Sequence, residues 1–328
     1  MFNEYLSDKY RIYTNGGSKG TQIKYQRDGM WYKEDNIGCE GDIEYLVSIL
    51  FKYSSLNKSD YVIYDTGLIN NRRGCRSKDF TDNGRYVFYT LQRLYEQITG
   101  LSLYEKVKSI DSFESRRDFV LDFFNKYYKF DLYEYLSKVF SLDLITLNED
   151  RHFNNLGVCL DTYVGKFCNA PIFDNGMSLL NGNFSVMRSW DISENVNRVT
   201  SKPFSGSPLR QYNLFSHGFY IDYIGLFDEL DKVEIADKFY KDVFYYQLLR
   251  YRDKFFKYSL VGLTCDGESI GTRIYSCGNT YDIKRIINTG ISDCIELKYI
   301  DNEYISEEEL NTGIRVKEIS TEIFDILF

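Results

Sequence analysis

Proline is almost missing from this 328-residue chain, with three in total, and histidine is rarer still, with two. So few prolines exclude Pro-rich linkers and collagenous segments. Seven cysteines (39, 75, 159, 168, 265, 277, 294) form no C-x-x-C pair, and with His152 and His217 they leave too few ligands for a structural zinc site. Their odd number points to a reduced, cytoplasmic protein whose cysteines are small buried hydrophobes. Also absent is any dense run of Lys or Arg. With 40 basic against 48 acidic residues and a net charge of −8, a nucleic acid is not expected as a direct partner. Apolar runs such as Tyr45 to Phe51 are too short to cross a bilayer. The start, Met1-Phe2-Asn3-Glu4, lacks the basic and apolar regions of a signal peptide, so no membrane partner is expected either.

What the chain does have is apolar and aromatic mass. A hydrophobic fraction of 43% and an aromatic fraction of 17% exclude global disorder. The 30 tyrosines and 24 phenylalanines exceed what a ligand site could use and belong mostly to cores. The length allows two sub-domains around a cleft.

Residues 10–35 read as hairpin structure: Tyr10 to Tyr13, a Gly-rich turn, Thr21 to Tyr25, then Met30 to Lys33 after a turn at Asp28-Gly29. Ile43, Leu46, Val47 and Leu50 then predict an amphipathic helix. Tyr61 to Tyr64 reads as a strand and 72–84 as a polar crossing segment. From about residue 85 the pattern is helical. One stripe is Phe119, Val120, Phe123, Phe124 and Tyr127; the next is Leu132, Leu136, Val139 and Phe140, opened by a cap signal at Asp131 and Glu134. Short strands are expected at Leu156 to Leu160 and Ala170 to Phe173. Residues 181–210 are polar and suit a mobile substrate-choosing segment, 211–260 suit aromatic helices, and the remainder mixes short strands and helices with an acidic cluster at Glu307, Glu308 and Glu309. The expected fold class is therefore α+β and two-lobed, with a β-rich lobe over 1–82 and a mainly helical lobe over 83–328.

The chemistry-bearing stretch is Asp150-Arg151-His152-Phe153-Asn154-Asn155, followed by Asp174-Asn175-Gly176. Phosphoryl transfer from a Mg-nucleotide needs a base for the attacking hydroxyl, and an amide and a carboxylate oxygen for the metal. Asp150 suits the first role, Asn155 and Asp174 the other two, and antiparallel strands between them would bring Asn155 near Asp174. His152 either contacts the phosphate or the catalytic Asp, or braces the loop, the reading preferred here. The bland alternative is a polar turn capped by Asp and Asn.

Upstream, Asn15-Gly16-Gly17-Ser18-Lys19-Gly20-Thr21-Gln22-Ile23-Lys24 offers backbone N–H groups and lysine charge to phosphates, though Gly-Gly-Ser is also an ordinary turn. Lys33 on a strand and Glu44 on the next helix suit a phosphate-holding ion pair, with Glu40 as a competing partner for the lysine. The structural reading of that pair is two unrelated surface charges.

These residues resemble the HipA-like family of bacterial serine/threonine kinases, within the wider protein-kinase and phosphoinositide-kinase-like superfamily. The resemblance is carried by Asp150-Arg151-His152-x-x-Asn155, by Ala170-Pro171-Ile172-Phe173-Asp174-Asn175-Gly176 and by Gly20-Thr21-Gln22-Ile23-Lys24, with Lys33 and Glu44 in matching order. Asp79-Phe80 is similar to a dipeptide near that family's nucleotide cleft. The resemblance spans about 15 to 210. It implies an ATP- and Mg2+-dependent kinase acting on a cytoplasmic protein's serine or threonine, with a toxin-like role in growth control and an antitoxin as possible partner. Two departures stand out. Longer HipA-type toxins carry an N-terminal sub-domain before the loop, which this chain is expected to lack, and the family's regulatory serine falls at Gly17, with Ser18 one position on. Two other functions stay open: a lipid or small-molecule kinase, and a catalytically silent nucleotide-binding module acting through partners.

Overall fold

A computed structural model describes residues 1–13, 22–265, 268–277, 279–288, 293–299 and 315–319. The chain divides into two compact units. The first comprises Met1–Ser48, Asn57–Gly218 and Glu234–Arg250, the second Ile49–Leu56, Phe219–Val233 and Tyr251–Phe328.

The first unit begins with a six-stranded sheet: β1 (Phe2–Glu4), β2 (Arg11–Ile12), β3 (Lys24–Arg27), β4 (Met30–Glu34), β5 (Tyr64–Ile69) and β6 (Arg72–Lys78), in the order β1-β5-β6-β4-β3-β2. The β3–β4 turn is made by Asp28 and Gly29 at φ 52° and 73°, the left-handed pair that an Asp-Gly hairpin turn requires. Across this hairpin Tyr25 faces Tyr32, both buried, and Lys24 faces Lys33. Helix α1 (Glu40–Lys52) follows β4, and its predicted stripe of Ile43, Leu46, Val47 and Leu50 is completely buried.

Two strand expectations need correction. The strand predicted at 61–64 begins only at Tyr64 and runs to Ile69. The predicted crossing segment contains β6, an interior strand hydrogen-bonded to both β5 and β4. Its sequence is mostly charged, so no apolar alternation announces it. Its buried residues are the small Gly74, Cys75 and Ser77, and a side chain at Gly74 would run into the Lys33 carbonyl.

The rest of the first unit is mainly helical: α2 (Leu91–Thr99), α3 (Leu103–Lys108), α4 (Phe113–Tyr128), α5 (Tyr133–Thr146), α6 (Ile192–Val196), α7 (Pro208–Tyr212) and α9 (Lys238–Arg250). The α5 stripe of Leu132, Leu136, Val139 and Phe140 is buried as predicted. In α4, Val120, Phe123 and Phe124 are buried while Tyr127 is exposed. The predicted cap is displaced: Leu132 is the N-cap of α5 and makes no side-chain cap bond, while the Asp131 carboxylate accepts from the Tyr133 N–H at 2.8 Å. A short strand missed in sequence, β7 (Tyr86–Thr90), pairs with β8 (Gly157–Asp161), which pairs in turn with β9 (Lys166–Asn169). The second hairpin strand thus lies at 166–169 rather than at 170–173. The apolar run after it joins another segment, where Val62 N–H donates to the Ile172 carbonyl and Ile172 N–H to the Asp60 carbonyl.

The second unit holds α8 (Tyr223–Lys232), α10 (Arg252–Phe255) and a five-stranded antiparallel sheet. Its strands are β10 (Tyr258–Cys265), β11 (Glu268–Ser276), β12 (Asn279–Asn288), β13 (Asp293–Tyr299) and β14 (Arg315–Ile319), in the order β13-β12-β11-β10-β14. Among the described residues this tail is a sheet, not the expected mixture of strands and helices; Glu307, Glu308 and Glu309 lie outside them. The unit's core includes Phe219 against Phe255 and Tyr223 between Phe227 and Phe256. The chain is therefore α+β, with a β-sheet N-terminal part, a mainly helical part after it and a second sheet towards the C-terminus. Among the described residues no helix is long and apolar enough to cross a membrane.

Candidate active site

α5 ends where Leu147 turns into the left-handed region (φ 57°), and the chain enters the loop 148–156. Asn148 opens this loop with its side-chain oxygen on the Asp150 N–H at 2.9 Å. The loop closes on itself: Asn155 Nδ2 donates to the Asp150 carbonyl at 3.0 Å, and Asn155 N–H to the His152 carbonyl at 2.8 Å. The Asp150 carboxylate remains on an open face, 44% exposed, with Lys202 Nζ 3.1 Å from Oδ1 and His152 Nε2 3.7 Å from Oδ2. His152 braces the loop through its backbone while its ring lies beside Asp150, its Nδ1 buried and unpartnered.

Arg151 points the opposite way and is completely buried. Its guanidinium forms a double contact with Asp143 in the last turn of α5, at 3.0 to 3.2 Å, and donates to the Phe173 carbonyl at 2.7 Å and to Asn175 Oδ1 at 2.6 Å. Burial alone would favour the neutral forms of both partners. The carboxylate nevertheless pushes the arginine up from its ordinary value, while at Asp143 burial outweighs the arginine and raises the carboxyl. Asn175 extends the connection by donating from its backbone and side-chain nitrogens to Glu44 at 3.0 and 3.3 Å. A buried polar line thus runs from α5 through the loop to α1.

At the end of that line stands Lys33. Its ammonium is 3.0 Å from Asp174 Oδ1 and 3.8 Å from Glu44 Oε1. Glu40, the competing partner in the sequence reading, instead caps the turn before α1 by accepting from the Asn36 and Ile37 N–H groups. Asp174 adopts a left-handed backbone (φ 62°). Contacts to the Phe173 carbonyl, its own carbonyl and the Asn175 N–H hold it there.

The two carboxylates beside Lys33 are tuned apart. Burial works against ionisation of Asp174, but the Lys33 ammonium outweighs it, with Lys24 and Arg151 further off, and holds the carboxyl at about 2. Burial dominates at Glu44 and raises it to about 6 despite Lys33. Burial would lower Lys33 too, yet Asp174, Tyr64 and Glu44 keep it well above its ordinary value. Lys24, opposite Lys33, is pushed down by burial and then by Lys33 itself. Like charges face to face across a hairpin are unfavourable; Asp174 offsets part of the repulsion by raising both lysines, and a phosphate chain would offset more.

The remaining predicted residues fall as follows. Gly20 and Thr21, with Ser18, lie outside the described residues. Gln22 is half-buried just before β3. Asp79 fastens the β3–β4 hairpin, accepting from Gln26 Nε2 at 2.9 Å and donating its N–H to the Gly29 carbonyl. Phe80 packs on Phe88 and Phe173, beside the apolar cluster of Val62, Tyr64 and Cys75. Sequence reasoning missed the roles of Arg151, Asn175, Asp143 and Lys202. A signal existed for Asp143, because a carboxylate on a helix with an otherwise buried stripe needs a partner.

A Mg-nucleotide suits this donor set. The Asp174 carboxylate stays ionised, and Asn155, whose amide nitrogen is committed to the Asp150 carbonyl, has its oxygen left as a cation donor. Among the described residues no three His, Cys, Asp or Glu side chains converge on a metal position. One or two protein oxygens suffice when phosphates and water complete the shell.

No sequence profile of a known protein family matches the chain, and no curated protein matches it. Among solved structures it is similar to that of CtkA, a Helicobacter pylori proinflammatory kinase, at 16% sequence identity and a TM-score of 0.47, covering 74% of this chain and 90% of that one.

Proposed function

We propose that this chain is an ATP- and Mg2+-dependent phosphotransferase acting on a serine or threonine of a cytoplasmic protein. The observation that carries the reading is the Lys33 cluster: a buried lysine between an ionised Asp174 and Glu44, tied through Asn175 and Arg151 to the loop that presents Asp150. Lys33 and Lys24 hold phosphate oxygens. Asp174 and the Asn155 oxygen hold the cation. Asp150 accepts or orients the proton of the acceptor hydroxyl, and Lys202 keeps its carboxylate in place. Bound Mg-ATP supplies the transferable phosphoryl group and the charge that neutralises it. The motif residues match the HipA-like kinases, which extends the proposal to a toxin-like growth regulator with an antitoxin partner.

The test is transfer of labelled phosphate from ATP to proteins of a cell lysate by wild type and by Asp150→Ala. Loss of the general base should lower transfer by about 10²- to 10⁴-fold. Equal labelling by both proteins would exclude the assignment. Label appearing only in small molecules would move the acceptor to the metabolite class.

A further inference from the structure

Beside the loop lies a pocket two of whose cations, Lys108 and Arg116, the phosphotransferase reading leaves unused. It is lined by Tyr104, Lys108 and Arg116, and by residues 201–206 with Ser201, Lys202 and Ser205 among them. Three lining residues are cations and none is acidic, in a chain whose net charge is −8. The walls are built rather than incidental. Arg116 donates to the Ile110 and Phe204 carbonyls at 2.7 and 2.9 Å, and Gln211 fastens the opposite wall by donating to the Lys202 carbonyl at 2.6 Å and accepting from the Phe204 N–H at 3.0 Å. Bonds to neutral carbonyls position the Arg116 guanidinium without cancelling its charge. Lys108 is exposed, its ammonium 5.8 Å from the Tyr104 ring centre. Lys202 belongs to both places, since it lines the pocket and lies 3.1 Å from Asp150.

Lys202 is compensated by Asp150, but Lys108 and Arg116 have no acidic residue among the lining, and such cations in a concave site concentrate anions. The shared Lys202 sets where such an anion sits relative to the reacting hydroxyl. We propose that this pocket binds an anionic oxygen group, a carboxylate or phosphate, carried by the acceptor near its hydroxyl, and so selects acidic acceptors. The inference rests on the phosphotransferase reading for its acceptor, but its binding step does not need turnover.

The test uses the full chain without nucleotide. Binding is measured for three serine peptides that differ at flanking positions (neutral, aspartate-bearing and phosphoserine-bearing) and for inorganic phosphate alone. Wild type should favour both anionic peptides by about tenfold, and Lys108→Ala should lose most of that preference while Lys108→Arg keeps it. Lys108 is exposed, so its replacement leaves the fold intact. Equal binding of acidic and neutral peptides, or a preference unchanged in Lys108→Ala, overturns the pocket. Phosphate binding alone, with no gain from a peptide's anionic group, assigns the pocket to free phosphate and overturns acceptor selection. The two readings fail separately: without the kinase chemistry the peptide preference stands but no label moves, and without the pocket label moves with no preference for acidic peptides.

Discussion

Asp150 and Arg151 are neighbours in the chain and opposites in the structure. Asp150 is 44% exposed and meets Lys202 on an open face, whereas Arg151 is completely buried against Asp143 and Asn175. The open side of the loop leaves Asp150 half exposed beside Lys202 and His152. The buried side is made of groups whose partners are all inside the protein. The contrast teaches that one short loop alternates its side chains, one left exposed and the next fully buried among partners inside the protein.

Breaking the buried side should give the largest effect on stability. Arg151→Ala leaves the Asp143 carboxylate buried without its cation and should cost about 3–5 kcal/mol, read by urea unfolding. The double variant Arg151→Met with Asp143→Leu should recover only part of this loss, because the Phe173 carbonyl and Asn175 still lack their donor. Asp150→Ala is the counterpart on the open side. It removes an exposed ion pair and should change unfolding free energy by about 0–1 kcal/mol while phosphate transfer collapses. A stability loss as large as that of Arg151→Ala would erase the contrast.

The smallest effect sharpens the comparison by pH. Glu44 is raised to about 6 from an ordinary value near 4.5, so the folded state holds its proton more tightly than the unfolded chain. That stability is fully present below pH 4.5 and is lost as pH rises through 6, a change of roughly 2 kcal/mol. Asp174 runs the other way: held at about 2, its contribution is present above its ordinary value of 3.8 and is lost as pH falls through 2. Glu44→Gln should make the unfolding curve shallower between pH 4.5 and 6 and leave the acid limb unchanged, the remaining slope belonging to Asp35, which burial raises to about 7. A wild-type slope persisting in Glu44→Gln would assign it to another group.

Much of the site was legible in order and spacing, because Lys33, Glu44, Asp150, Asn155 and Asp174 carry chemistry that only certain residue types supply. α1 and α5 were legible for another reason, their apolar periodicity. β6 was not, because a strand of arginines around Gly74 and Cys75 is defined by the neighbours it pairs with. The register of β9 failed similarly: the apolar residues 170–173 suggested a strand, yet the ladder uses 166–169 and the apolar run pairs with 60–62. Arg151 was visible as a letter but not as a buried group, since burial of a charge depends on Asp143 and Asn175 arriving from elsewhere.

Lys24 and Lys33 face each other across the β3–β4 hairpin, so under the proposed function the protein gauges the charge of its nucleotide. Asp174 offsets only part of the repulsion between the two lysines, so each phosphate added to a nucleotide should raise the melting temperature further, triphosphate above diphosphate above monophosphate. Salt performs the same neutralisation without occupying the site, so the ladder of melting temperatures should compress as ionic strength rises.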